Sequence, residues 1–465
     1  MARVLTPDIC VIGNTEAGFA VAASAVALGA SAVMVEHGRP SGRAVVQAFL
    51  AAGRRAHAMR SAAELGIGPN APEVEFRTLA RHVRGVASVQ ATARSAERLT
   101  AMGVPVVKEP VRFADRNTLA AGDVQIRPRR FVLAVAAVPA PLPAEGFSEA
   151  DVLTEETVAK LDRLPAHLVV LGAGARGLEV AQAFRRLGST VTVLDAATPL
   201  PGEDPELAAL LLRALRSEGV TIHEGARLVR FGRQGKVAIR VEFEHQGRYG
   251  TAEASHVFDA RARIADLAAL DLAKAGVAFG PGGVAVSPAL RSRNRRVHAI
   301  GEAIDPQAPP ALGLQQAGAV TQALLLRRKP VPVLSPRVVM TEPALASIGV
   351  TEAQAPRAGL QILRSPYALN ERARAEARTA GHLKVLADAK GGILGVSILG
   401  VEAGEAMAVW SLAMQKGLTL AEMGAALPAH SGYAEIGKDA AIAYLAGVAR
   451  RPAVRWLVRL FRMLG

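Results

Sequence analysis

Gly172, Gly174, Gly177 and Asp195 have the types and spacing to hold a dinucleotide. The run His167 to Leu171 leads into Gly-Ala-Gly-Ala-Arg-Gly, which satisfies the full G-x-G-x-x-G pattern. A helical stretch to Gly188 follows, then Thr190 to Leu194 and Asp195, 18 positions after the last glycine. The first glycine makes the strand-to-helix turn and the second lets backbone approach a pyrophosphate. The third permits close helix–strand packing, and unpaired N–H groups at the helix start face the anion. The acid that ends the next strand accepts hydrogen bonds from a ribose diol. Asp195 is followed by Ala196 and Ala197 with no arginine, which predicts NADH over NADPH.

The same layout occurs 159 residues earlier. Asp8 to Gly13 is a short apolar run ending in glycine; a helical stretch from Ala17 to Gly29 and a second run, Ala32 to Val35, lead to Glu36. Here Gly13, Gly18 and Glu36 take the parts of the first glycine, third glycine and ribose acid, and Thr15 stands where the second glycine belongs. One glycine motif is weak evidence, because turns use glycine anyway. Two in correct context specify an α/β chain with two Rossmann-like dinucleotide-binding units.

From about residue 335 the pattern changes. Gly381 to Leu386 and Gly392 to Ile398 read as a hairpin turning at Asp388 to Gly391, and helices are expected around 404–416 and 434–446. This reads as a separate C-terminal α+β domain suited to an interface. The expected division is 1–150 with 271–330 for the first dinucleotide unit, 151–270 for the second, 331–447 for the α+β domain, and 448–465 for a terminal helix. In that last segment Val454, Leu457, Val458, Phe461 and Leu464 fall on one helical stripe, and Arg451, Arg455, Arg459 and Arg462 on another. Such a basic amphipathic helix with Trp456 either lies on an anionic membrane surface or docks on its own dimer with arginine facing water.

Composition bounds the rest. The 465 residues are 50% hydrophobic and 21% charged, a globular balance. The net charge of +14 is carried mostly by arginine, yet there are few aromatics, no zinc-type Cys/His spacing and no dense basic run, so no nucleic-acid reader and no metal site is expected. No apolar run is long enough to span a membrane. The opening residues lack a signal-peptide layout, and the chain has one cysteine, Cys10, so a cytoplasmic location is expected, with peripheral contact at the inner membrane face as the alternative.

Two dinucleotide units followed by such a C-terminal domain resemble the glutathione reductase, dihydrolipoamide dehydrogenase and mercuric reductase superfamily nearly end to end. The resemblance is carried by Leu171 to Glu179, Val297 to Glu302, Thr341 to Gly349, Pro366 to Ala373 and Gly400 to Glu405. Arg55 to Arg60 is closest to the mercuric-reductase branch. The resemblance implies FAD in the first unit, with Gly301 and Glu302 meeting the flavin's ribityl chain, and NADH in the second, with Glu179 toward the nicotinamide end. It implies a C-terminal dimerisation domain whose His430 and Glu435 form a His…Glu dyad completing the partner's active site in a homodimer. Arg176 either helps hold the pyrophosphate or covers the helix flank.

The departures from that family bear on function. Between Glu36 and a helix near Ala48 the family places a cysteine pair and a following lysine; this chain has no cysteine there, and Gln47 stands roughly at the lysine's place. Dithiol–disulfide chemistry needs two thiols within bridging reach, so reduction by that route is excluded. Thr15 and Glu16 at the first turn, Ala134 to Ala136 and Asp259 to Arg261 at two strand ends, and Glu302 for the family's aspartate all fall at cofactor-contact positions. Two readings follow. One is an NADH-dependent flavoprotein oxidoreductase serving a non-thiol acceptor such as a quinone, with His430 and Glu435 as proton donor. The other is a non-catalytic paralogue, a dimeric scaffold or NADH-sensing partner that has lost flavin.

Overall fold

Uncharged runs of β-branched and leucine residues become strands buried on both faces, as parallel sheets covered by helices require. In the computed structural model, which describes residues 3–38, 42–68, 71–141, 144–146, 152–234, 238–328, 334–426 and 430–464, Ile9–Ile12 and Ala32–Val35 are wholly buried. Ile9–Ile12 lies at the centre of a parallel five-stranded sheet, with Ala32–Val35 and Val106–Val107 on one side and Arg130–Leu133 and Val297–Ala299 on the other. The last of these strands comes from far along the chain. The helices Glu16–Ala27 and Pro310–Leu326 pack together on one face of this sheet.

The second unit repeats the plan. His167–Leu171 pairs in parallel with Thr190–Asp195 and with His256–Asp259, and Val152–Leu153 and Val220–Glu224 close the edges. Its helix Ala175–Leu187 packs against the long helix Arg43–Ser61 of the first unit, with Phe49 and Phe184 in contact at 5.0 Å between ring centres. A single apolar core therefore runs from the first unit's second helix into the second unit.

The third body is an antiparallel sheet in the order Arg337–Val339, Ala344–Gly349, Ile393–Gly400, His382–Ala387, Gln361–Pro366. Asp388 shapes the hairpin turn by accepting from the N–H groups of Lys390 and Gly392. The helices Ala403–Lys416 and Glu435–Ala449 cover the sheet.

Two boundaries differ from expectation. The helix expected near Ala48 begins at Arg43. Its cap is Gly42, where a Cβ would stand 1.9 Å from the Glu155 carbonyl oxygen, so only glycine lets the helix start there; Arg39, Pro40 and Ser41 lie outside the described residues. The terminal helix runs from Pro452 to Leu464 and not from Val448, because the preceding helix continues to Ala449 and proline opens the new one. Trp456, Leu457, Val458, Phe461 and Met463 are exposed on it.

Candidate functional site

In the second unit the glycine turn is built by contacts that no side chain could share. Gly172 has φ +99°, and a Cβ there would meet the Ala260 carbonyl at 2.7 Å; at Gly177 it would meet the Gly172 carbonyl at 1.9 Å. Gly174 differs: a Cβ on it meets nothing within 4 Å. That residue caps the helix Ala175–Leu187 with ordinary extended backbone, so its surroundings are open where a pyrophosphate would approach. Asp195 closes the site from the next strand, accepting from Ala173 N at 2.5 Å and Ala197 N at 2.8 Å. Its carboxylate is thereby aimed across the turn with lone pairs to spare.

In the first unit Gly13, at φ +122°, sits with its Cα against Ala134, and Gly18 packs on the Gly13 carbonyl, where a Cβ would come within 2.4 Å. Thr15, expected in the path of a pyrophosphate, turns its hydroxyl into the turn. It donates to the Ala134 carbonyl at 2.7 Å and accepts from Gly18 N at 3.1 Å, a helix cap. The next two N–H groups, of Glu16 and Ala17, have no acceptor among the described residues, and both residues line a cavity of about 500 Å³. The carboxylate of Glu36 is half-buried with no hydrogen bond or ion pair among the described residues.

This cavity falls in the size range of small-molecule and cofactor sites. Its floor is Thr15 to Ala17, Ala134 to Ala136 and Ile300 to Glu302. Its walls are Arg43, Ala44 and Gln47 from one helix and His82, Val86 and Gln90 from the next. The residues present fit a dinucleotide: a free ribose acid at Glu36, helix N–H groups at the turn, and a half-open, largely apolar chamber beyond.

Beside the chamber runs a ladder of alternating charge. Glu302 accepts from Ala137 N at 2.9 Å and from Arg176 at 3.0 Å. Arg176 also lies 3.6 Å from Glu155, and Glu155 lies 3.9 Å from Arg43. Arg43 grips both oxygens of Glu179, one of them at 2.8 Å, and Met340 N donates to the same carboxylate at 2.7 Å. Burial pushes the Glu155 carboxyl above the usual carboxylate range, partly offset by Arg176 and Arg43. Glu179, expected to face the nicotinamide end, is fully buried with its oxygens already engaged, which excludes a helix-surface acid. Arg176, expected to hold the pyrophosphate or to cover the helix flank, extends its guanidinium to Glu302 of the first unit and to Glu155. The cation that the helix presents here is Arg43, one turn before Gln47.

His430 and Glu435 are brought together, Nδ1 to Oε1 at 2.9 Å, on the C-terminal domain. The bond to Glu435, with Glu371 at 3.6 Å from the other ring nitrogen, raises the imidazole above its ordinary value. The ring is 75% exposed on the protomer. Among the described residues no His, Cys, Asp or Glu cluster could hold a metal ion. Cys10 is buried in the central strand of the first sheet, and burial raises its thiol far above its ordinary value. Arg43 and Glu155 were missed in the sequence: Arg43 was signalled only as a cation opening an otherwise apolar turn, and Glu155, in a loop, by nothing.

Comparison with known proteins agrees with this geometry. The model of the pyridine nucleotide-disulphide oxidoreductase family matches residues 7–323, and that of its dimerisation domain matches 335–441. A mercuric reductase of Streptomyces lividans is 30% identical over 465 residues, covering 95% of this chain and 97% of its own. A dihydrolipoyl dehydrogenase of Thermus scotoductus is 28% identical over 443 residues, covering 92% and 95%. In fold, the chain superposes on the HOCl-induced flavoprotein disulfide reductase RclA from Escherichia coli with a TM-score of 0.81 at 23% identity, covering 94% and 99%.

Proposed function

Since the chain belongs to the pyridine nucleotide-disulphide oxidoreductase family, whose members typically bind FAD and NAD(P), we propose that it is an FAD-dependent NADH oxidoreductase whose acceptor is not a thiol, a quinone being the best candidate. The observation that carries this is the chamber itself: it is walled by the first turn's neighbours and by the Arg43–Ser61 helix, and no cysteine lines it.

Gly172, Gly174 and Gly177 would seat the NADH pyrophosphate and Asp195 its ribose. Gly13 and Gly18 would give FAD room, Glu36 would take its adenosine ribose, and Gly301 and Glu302 would border its ribityl chain. FAD, when bound, supplies the two-electron relay between NADH and the acceptor. NADH, a proton and a quinone give NAD⁺ and a quinol, so one proton per turnover enters from outside. His430, held by Glu435 and kept protonated to higher pH, is the candidate donor, reaching the partner's site in the homodimer that the dimerisation domain supports. The terminal helix, apolar on one side and basic on the other, would bring the enzyme to the inner face of a membrane where such acceptors dissolve. No helix among the described residues is long and apolar enough to cross one.

A second reading has its own support. Glu302 already has both oxygens engaged, and Thr15 caps the helix on which a pyrophosphate would rest. A scaffold that kept NADH and lost flavin would show both features. Purified protein should carry a flavin absorption band that bleaches on anaerobic NADH, followed by recovery on adding a soluble quinone. Colourless protein that takes up no FAD yet binds NADH would replace the oxidoreductase with the scaffold.

A further inference from the structure

The cofactor chamber lies at the carboxyl ends of the first unit's strands, where open α/β sheets bind ligands. The opposite end of that sheet carries a second cavity, of about 450 Å³, at the start of the strands Ile9–Ile12 and Arg130–Leu133. Arg129, Arg130, Arg291, Arg295 and Arg327 line it, with Asp8 as the one acid. Asp8 is already committed, accepting from Ser31 N at 3.0 Å and Ser31 Oγ at 2.8 Å while pairing with Arg129 at 3.3 Å. Arg130, Arg291, Arg295 and Arg327 have no carboxylate partner among the described residues.

At the back of this bowl is His298, only 6% exposed. Its Nδ1 is buried and has no hydrogen-bond partner. Four guanidinium groups that face no carboxylate concentrate positive charge around the bowl, and an anion offsets it with charge-assisted hydrogen bonds. Burial, with Arg130 and Arg291 adding to it, holds the imidazole down to about 4. The carboxyl end of the helix Pro310–Leu326 reaches the rim at Ala323 to Leu325, and its partial negative charge opposes an anion by less than the four guanidinium charges attract one. An adjoining cavity of about 410 Å³ shares Arg129 and Arg130 and adds Arg127 and Arg296.

We infer that this bowl is a binding site for a small oligophosphate, with Arg130, Arg291, Arg295 and Arg327 gripping the phosphate oxygens in front of His298. Planar guanidinium groups match phosphate geometry two bonds at a time. The concave shape suits a few linked phosphates, and besides His298 no aromatic residue lines it, so there is no platform on which bases of a nucleic-acid strand could stack.

The test is calorimetric titration of the full-length protein with inorganic pyrophosphate, then tripolyphosphate, at ionic strengths of about 0.01 and 0.15 M, where the screening length falls from about 30 to 8 Å. The site predicts saturable binding of one ion per chain, weakened at least tenfold by the surface pair Arg130→Ala and Arg291→Ala. Arg248→Ala, an exposed arginine on the second unit, should change nothing. Absence of binding overturns the site. So does binding that ignores the Arg130/Arg291 pair, which would place the ion on the glycine turns, and so does equal weakening by Arg248→Ala, which would make it a diffuse effect of net charge.

Discussion

Replacing Gly174 with alanine separates the use of the second glycine turn from its architecture. Backbone at this position has φ −75° and ψ −178°, which alanine adopts freely, and the added methyl meets nothing within 4 Å. Alanine is a poorer helix cap than glycine but loses less chain entropy on folding; these opposed effects of about 0.5–1 kcal/mol leave stability nearly unchanged. With a dinucleotide present, the methyl occupies the approach of the pyrophosphate to the N–H groups that open the helix. Losing one hydrogen bond to a charged group removes about 1.5–3 kcal/mol. That is a roughly 10- to 100-fold rise in Kd at 1.4 kcal/mol per decade. Fluorescence titration with NADH, beside a thermal melt of the same sample, reads both quantities. Gly177→Ala is the companion: its methyl lands 1.9 Å from the Gly172 carbonyl and should depress the melt itself. An unchanged melt with NADH affinity within threefold of wild type in Gly174→Ala would refute the placement of the pyrophosphate over this turn.

Arg43→Met leaves the Glu179 carboxyl buried with only the Met340 N–H, so the first urea transition should lose about 3 kcal/mol, and Glu179→Gln added to it should recover part of that loss. Glu155, raised by burial, is more stable protonated in the fold than in the unfolded chain. Its stabilising effect is full below the unfolded value of about 4.3 and is lost as pH rises through the folded value, each pH unit between the two removing about 1.4 kcal/mol. Glu155→Gln should therefore match or exceed wild-type stability at neutral pH and lose that advantage near pH 4, as denaturant midpoints at the two pH values will report. Glu435→Gln keeps an acceptor but removes the negative charge that helps raise His430, so the alkaline limb of quinone reduction should move to lower pH; an unmoved limb removes His430 from proton delivery. Converting Arg455, Arg459 and Arg462 to alanine should weaken sedimentation with anionic vesicles on the order of 100-fold, from about 1 kcal/mol per arginine, without shifting the melt.

Local chemistry made much of this protein legible from its sequence. Each dinucleotide unit is contiguous, about thirty residues of strand, glycine turn, helix and strand. Within that stretch Gly177 packs on the Gly172 carbonyl and Asp195 accepts from Ala173 N. The hairpin at Asp388 and the helices of the C-terminal domain are likewise short-range patterns, as is the pairing of His430 with Glu435 five residues on. The single cysteine is what turned the expected acceptor away from thiols, because a dithiol needs two.

Tertiary structure decided what lies between the units. Arg43, Glu155, Arg176, Glu179 and Glu302 are up to 259 residues apart in the chain, and nothing periodic links them. They form one ladder because the two sheets dock through the Arg43–Ser61 helix, which buries these charges side by side. The same holds for the arginine bowl around His298, assembled from a strand start, a loop and a helix end. Sequence spacing reports neighbours along a helix or strand; which charges share a low-dielectric space is set only when the chain closes on itself.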